Sequence, residues 1–350
     1  SYENATHLIV FTATYGDGDA PSNARKFEAL FHRIQPKRKL QFSVLGFGSL
    51  LYPQYCRFAI KVDAMFHNHS SFQPVNPLVK INDQSEIAFL NWVKTWNEHT
   101  GMPLKVTSPH QKNKTKKEQS FKVVERTSLN VDNTALIKLR PNKKGRFQSG
   151  DLLHIIPPGD AYARQYSIAK VDGDILLSIK WHPKGICSTY LCTLKKGETI
   201  SARIEKNVKF HFPKQASSVW LIANGTGIAP YLGMLNENHK TPMQLTWGGR
   251  IETSFDCYRA FMENKLLRKQ VIPYQLALSQ TKEKMYVQDV LLDQQTEVAR
   301  TLKNGGVFML CGSMAMQHAV LDTLEEIATT NLQQPLSDFE NNGQLLLDCY

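Results

Sequence analysis

Five apolar runs near the C-terminus, SVWLIA (218–223), MQLTWG (243–248), YQLALS (274–279), VFMLCG (307–312) and QLLLD (344–348), most restrict how this chain can fold. SVWLIA and VFMLCG are the most continuously apolar of them, and strands of that kind need cover on both faces. Between the runs lie stretches with the length and pattern of helices, at 228–237, 257–269, 286–303 and 313–328. Strands covered on both faces and separated by helices form a doubly wound parallel sheet.

The N-terminal part shows the same alternation. HLIVFT, QFSVLGFG and PLVKI read as strands, with helices expected at 23–34, 53–66 and 84–98. Three parallel strands make a thin sheet, and HLIVF stands at its edge unless something pairs with it. Between about 118 and 213 the texture changes to short strands with frequent turns: FKVVERTSL, TALIKLRP, DLLHIIPP, RQYSIAKVDGDILLSIK and ETISARI. Asp172-Gly173 supplies a hairpin turn, and the region reads as a small antiparallel barrel or sandwich. The expected class is therefore a multidomain chain of α/β and β parts. Residues 1–100 form a first, partial parallel α/β domain, 101–117 a linker, 118–215 a β-barrel and 216–350 a second α/β domain.

Composition narrows the function. With 42% hydrophobic and 21% charged residues the chain reads as an ordinary soluble globular protein. No apolar run approaches the roughly 20 residues needed to span a bilayer. No basic segment followed by an apolar core opens the sequence, so no signal peptide is expected. The six cysteines form no CxxC pair and read as reduced thiols of a cytoplasmic protein, at least four of them buried. No metal site is expected. The net charge of +11 is not spread evenly, and KVTSPHQKNKTKKEQ (105–119) holds a dense basic run. Aromatics do not interleave with that run, so it reads as a solvated linker and not as a nucleic-acid surface.

Several short motifs sit at strand ends. ANGTGIAP (223–230) follows a strand and opens a helix, the context a phosphate-binding turn needs, although a generic strand-to-helix turn competes. GICS (185–188) precedes a helix start, where free backbone N–H groups suit a diphosphate. RQYS (164–167) begins a barrel strand and is unremarkable alone. LCGS (310–313) puts a thiol at the carboxyl end of a strand, where a buried structural cysteine is the competing reading. LLLDCY runs apolar almost to the last residue, which implies a docked end.

In this order and at these intervals, RQYS, GICS, GTGIAP, CGS and DCY resemble the ferredoxin–NADP reductase superfamily. TATYGDGDAPSNARKF and GFGSLLYPQYC resemble the second and third flavin-contacting loops of a flavodoxin. The whole chain is similar to the diflavin reductases, which include the sulfite reductase flavoprotein and bacterial flavoprotein reductases fused to a PepSY-type membrane region. No long helical insertion precedes RQYS, which makes the FAD half compact.

The resemblance implies a set of roles. FAD is held by Arg164, Gln165, Tyr166 and Ser167, by Gly185, Ile186, Cys187 and Ser188, and by Tyr350 stacked on the flavin. NADP(H) is held by Gly225, Thr226, Gly227, Ser279, Lys284, Tyr286 and Cys311. Ser167, Cys311, Asp348 and Tyr350 form the hydride-transfer site. FMN contacts Thr14, Tyr15, Gly16, Asp17, Gly18, Gly46, Gly48, Tyr52, Tyr55 and Cys56, with Tyr15 and Tyr52 on opposite faces of its ring. Gln280 stands where the family has an arginine after the serine, yet Ser279, Lys284 and Tyr286 still favour NADPH over NADH. HLIVFT corresponds to the third flavodoxin strand, which places the phosphate loop for FMN ahead of Ser1 and makes FMN retention by this chain doubtful.

The implied function is NADPH-dependent flavoprotein oxidoreduction: a hydride to FAD, then single electrons through FMN to a haem, ferric or other redox partner. An FAD-only NAD(P)H reductase with a vestigial flavodoxin region is one alternative. A non-catalytic docking module of a membrane redox complex is another. The expected location is the cytoplasm, or the cytoplasmic side of a membrane if an anchored region lies upstream.

Overall fold

The continuous apolar runs pair as parallel ladders, and the alternating, turn-rich segments pair as antiparallel ones. The computed structural model describes residues 5–350 apart from 16–17, 25, 37, 49–53, 83–84, 107–117, 144, 161–162, 184, 238–239 and 268–272. It divides into two units, Ser1–Lys114 and Thr115–Tyr350. Most of the basic run expected to be a linker lies outside the described residues.

In the first unit, β1 (His7–Ala13), α1 (Phe27–Phe31), β2 (Leu40–Gly48), α2 (Arg57–His67), β3 (Phe72–Pro74), β4 (Val79–Asn82) and α3 (Glu86–Thr100) follow in order. Strand β2 is central, with β1 parallel on one side and β3 and β4 parallel to it at successive positions. Its side chains are buried on both faces, Phe42 and Val44 towards α2 and Leu45 towards Trp92 and Trp96 of α3, as a parallel strand requires. The helix expected at 23–34 is shorter: a 3₁₀ turn at Ser22–Ala24 precedes a five-residue α1. Pro21 and Pro36 bracket that stretch and restrict helix on both sides. Strand β3 was not anticipated, because FQP is too short to show a period.

The second unit opens with β5 (Gln119–Arg126), β6 (Thr134–Pro141), β7 (Leu152–Ile155), β8 (Arg164–Ser167), β9 (Ala169–Val171), β10 (Asp174–Lys180), α4 (Ile186–Thr193) and β11 (Thr199–Glu205). These strands form one antiparallel sheet in the order β8-β7-β11-β5-β6-β10-β9. Its end strands β8 and β9 are consecutive, and Ile168 between them bonds Gly150 and Asp151, so the sheet curls into a nearly closed barrel. The hairpin turn is as expected. Asp172 and Gly173 both have positive φ, +54° and +86°, the combination a type I′ turn demands.

The same unit continues with β12 (Val219–Asn224), α5 (Ala229–Asn236), β13 (Met243–Gly249), α6 (Asp256–Leu267), β14 (Tyr274–Leu278), α7 (Val287–Asp293), α8 (Gln295–Lys303), β15 (Val307–Gly312), α9 (Met314–Leu332), α10 (Leu336–Asn341) and β16 (Leu345–Cys349). All five strands are parallel, in the order β14-β13-β12-β15-β16. The helix expected over 286–303 is two helices that meet at Gln294, which caps α7 and starts α8. Helix α10, too short to show a period, was not anticipated.

One apolar core joins the barrel to this sheet: Leu136, Ala169, Val171 and Leu176 pack with Leu221, Tyr231 and Met234. Helix α5 lies directly on β9 at Gly233, where a Cβ would fall 2.2 Å from Ser149 Oγ and 2.5 Å from the Lys170 amide nitrogen. A Gly→Ala change inside a helix ordinarily stabilises by about 1 kcal/mol. Here the obstacle is backbone, so the overpacking term of about 1–3 kcal/mol outweighs it. Gly233→Ala is therefore expected to lower the urea midpoint of the second unit, and a midpoint at or above wild type would refute the close approach.

Candidate functional site

The carboxyl ends of the parallel strands open on a crevice at the face the barrel covers. The turn after β12, Gly225–Ile228, is a single 3₁₀ turn feeding α5. Gly225 has φ +52° and open space around it, while a Cβ at Gly227 would lie 2.1 Å from the Cys311 carbonyl oxygen. The turn thus passes β15 at backbone distance. Asn224 ties the two strand ends together: its Oδ1 accepts from the Ser313 amide (2.8 Å) and its Nδ2 donates to Ser313 Oγ (2.9 Å). The adjoining cavity, of about 390 Å³, is lined by Gly225, Thr226, Arg250, Ser279 and Tyr286, and from the barrel by Asp132. Backbone N–H groups at a glycine turn and a cationic rim suit a dinucleotide phosphate.

Deeper in, three expected residues from three strands converge. Ser167 at the end of β8 donates to Asp348 Oδ2 on β16 at 2.6 Å. Cys311 on β15 sits in register with Asp348, and its thiol addresses the same oxygen at 3.9 Å. Burial, with the Asp348 charge adding to it, pushes the Cys311 thiol well above its usual range, so it is a neutral S–H. Burial also raises the Asp348 carboxyl, opposed by hydrogen bonds from Ser167, Asn207 and Cys311. The fourth expected member, Tyr350, bonds backbone to Gly312 O (2.9 Å) and hydroxyl to Thr226 Oγ1 (3.1 Å), with its ring 62% exposed.

The RQYS strand pairs with β7 from Leu152–Ser167 to Ile155–Arg164. Arg164 is half-buried and pairs with Asp160 at 3.4 Å. Gln165 is exposed, and Tyr166 packs against the barrel core beside Cys187. Burial, then the neighbouring Cys187 thiol, raises the Tyr166 phenol far above its usual value. Gly185 is the N-cap of α4. The Ser188 hydroxyl accepts from the His182 amide and donates to Gly185 O, both at 3.2 Å, so it braces the turn from inside. Ile186 is exposed at that turn and Cys187 is buried under it.

At the far rim, Ser279 Oγ donates to Gly249 O (3.1 Å) and the Lys284 ammonium lies 5.0 Å from the Tyr286 ring centroid. Two residues outside the expected set also enter the crevice. Arg250 donates to Gln280 Oε1 (3.1 Å) and to Asp132 Oδ1 (3.2 Å). A cation directly after a strand ending in Gly-Gly was the sequence signal for it. Asn207 donates to Asp348 Oδ1 at 3.2 Å, and nothing in the aperiodic stretch EKNVKF marked it.

In the first unit, of the residues expected at FMN, Gly16, Asp17 and Tyr52 lie outside the described residues. Thr14 ends β1 and its hydroxyl accepts from the Phe58 amide at 3.2 Å. Tyr15 is 39% exposed and forms a bridge with Asp19 that closes the loop around Gly18. Gly46, Gly48 and Tyr55 surround Cys56, which is fully buried with φ +53° and whose thiol points to Gly46 O. Cys56 is thus a core residue beneath the loops, Thr14 is half-buried against the start of α2, and Tyr15 is exposed. Among the described residues, no group of acids, histidines or cysteines is placed to hold a metal, and no helix is long and apolar enough to cross a membrane.

Residues 1–96 match the flavodoxin family and residues 221–322 the oxidoreductase NAD-binding domain family. The chain is 30% identical over 187 residues to the NADPH–cytochrome P450 reductase of Dictyostelium discoideum, covering 47% of this chain and 27% of that protein. It is 29% identical over 153 residues to the sulfite reductase [NADPH] flavoprotein alpha-component of Bacillus subtilis, covering 41% and 25%. With the chloroplastic embryo-isozyme ferredoxin–NADP reductase of Oryza sativa it shares 28% identity over 186 residues, covering 48% and 49%. The matches thus span between a quarter and a half of these relatives' own lengths. The flavodoxin match, the NAD-binding match that follows it and the similarity to these reductases together make the chain homologous to the diflavin reductases.

Proposed function

We propose that the chain is an NADPH-dependent flavoprotein oxidoreductase that takes a hydride from NADPH and passes electrons singly to a haem, iron or other redox partner. The observation that carries this reading is the meeting of Ser167, Cys311 and Asp348 at 2.6 and 3.9 Å beside the Gly225–Gly227 turn. Bound flavin supplies a group that accepts two electrons and releases them one at a time, which amino-acid side chains do not offer.

The residues present fit such groups. In the 118–215 region, the Arg164 guanidinium and the N–H groups that open α4 offer positive charge for the FAD diphosphate. Tyr166 offers a packed aromatic face, and Ile186 an apolar one. In the 216–350 region, the turn at Gly225–Gly227 admits a diphosphate at backbone distance. Ser279, Lys284, Tyr286 and Arg250 gather donors and positive charge for the ribose phosphate of NADPH. Between the two, the Ser167 hydroxyl offers a small polar group to the nicotinamide, the neutral Cys311 thiol is buried against Asp348, and Asp348 offers charge to offset a developing positive ring. Tyr350 stands beside the Gly225–Gly227 turn, held by its backbone to Gly312 and by its hydroxyl to Thr226. In the 1–100 region, Tyr15 offers an exposed aromatic ring at the loop assigned to FMN, with Thr14 half-buried beside it.

Two outcomes test this. Ser167→Ala combined with Cys311→Ala is expected to slow NADPH-driven dye reduction by about a hundredfold, the cost of misplacing reacting atoms, with flavin content and circular dichroism unchanged. Wild-type rates in that variant would remove the assignment of this cluster. Lys284→Ala is expected to raise the KM for NADPH about tenfold, the loss of one charge-assisted contact, and to leave the KM for NADH unchanged. An equal rise for both coenzymes would show that Lys284 does not meet the ribose phosphate.

A further inference from the structure

We propose that Asn207 is a positioning residue for Asp348: its side-chain amide keeps the carboxylate ionised and turned so that one oxygen is left to Ser167 and Cys311. The inference rests on the redox reading of the site above. Ser167 and Cys311 both address Oδ2, and the Asn207 amide addresses Oδ1 at 3.2 Å. The groups that face the carboxylate are Ser167 from β8, Asn207 from the loop after β11, Cys311 from β15, Tyr231 from α5, and Cys349 and Tyr350 from its own strand. None of them is a cation. Burial therefore favours the neutral acid, and hydrogen-bond donors supply what opposes it.

The amide is well held for this task. The Asn207 backbone N–H donates to Asp151 Oδ1 at 3.0 Å. Asp151 is 1% exposed and also accepts from His211 Nε2 (2.6 Å) and the Gln148 amide (2.9 Å). The Asn207 carbonyl in turn accepts from the Phe210 amide at 2.9 Å, closing the 3₁₀ turn at Val208–Phe210. This anchorage uses only the backbone of Asn207, so it survives a change of side chain. It also carries no proton from His211 to Asp348, because the link runs through an amide N–H that stays bonded to its nitrogen. The connection orients; it does not relay.

The sign of the effect follows. Removing the donor to Oδ1 destabilises the charged form and moves Asp348 protonation to higher pH. Asn207→Asp has the same shape but replaces the donor by a second carboxylate, which moves the titration of the pair further up. The test is the ¹³C titration of the Asp348 carboxyl in the purified, oxidised chain labelled at aspartate, with Asp348→Asn to assign the signal. Asn207→Ala is expected to raise the midpoint by about one pH unit, a tenfold change in the proton equilibrium, and Asn207→Asp by more. The acid limb of NADPH-driven dye reduction should rise with it. A wild-type midpoint in Asn207→Asp, or an activity loss in Asn207→Ala equal at every pH, would overturn the proposal and leave Asn207 a packing residue. Failure of the wild-type chain to oxidise NADPH would instead overturn the redox reading, while the carboxyl titration would still decide the role of Asn207.

Discussion

The close approach of α5 to β9 at Gly233 is the contact on which the site depends. It sets the spacing between a barrel and a parallel sheet that share one apolar core. Ser167 lies at the end of β8, just ahead of the Ala169–Lys170 segment on which the helix rests. Any lift of α5 would therefore also move Ser167 away from Asp348. A hydrogen bond of 2.6 Å between side chains 181 residues apart in sequence survives only if both supports are stiff. The rigidity comes from the apolar core and from Ser178 bonding Tyr258 at 2.7 Å inside it. The polar cluster at the crevice is placed by this packing and contributes little to it.

Electrostatics then divides the labour within the cluster. Cys311 and Asp348 occupy the same low-dielectric environment and both are pushed towards their neutral forms, yet the consequences differ. A thiol driven up becomes more firmly neutral. A carboxyl driven up approaches the point at which it would lose its charge. The hydrogen bonds from Ser167, Asn207 and Cys311 oppose that rise. The same environment explains the Tyr166 phenol, which stays protonated beside Cys187 at any ordinary pH.

Much of the architecture was legible because buried parallel strands have a distinctive texture. SVWLIA and VFMLCG are too continuously apolar for an edge or amphipathic segment, and both became inner strands of the second sheet. Asp172-Gly173 announced its turn through residues that tolerate positive φ. Legibility failed where elements were too short to show a period, at β3 and α10, and at Gln294, where one apparent helix is two. The site was legible where backbone demands left a signature, as at Gly225 and Gly227. Arg250 and Asn207 were hidden because their meaning lies in partners distant in sequence: Asp132 is 118 residues from Arg250, and Asp348 is 141 residues from Asn207.

The charge at the rim of the crevice shows how such a distant partner alters a motif. A glutamine after Ser279 looks like a lost cation when the stretch is read alone. In the folded chain the ends of β13 and β14 run side by side, with the Gln280 amide N–H bonded to Arg250 O at 2.8 Å, and the two side chains meet there. Gln280 accepts from the Arg250 guanidinium, so it steadies a cation where an arginine would have repelled one. Asp132, reaching over from the barrel, offsets part of that charge and ties its position to the barrel. Positive charge at this edge is therefore moved from β14 to β13, and its strength depends on how firmly the barrel loop carrying Asp132 is held. Asn130 holds that loop, accepting from the Asp132 and Thr134 amides at 2.9 Å and donating to Ser254 O at 3.0 Å.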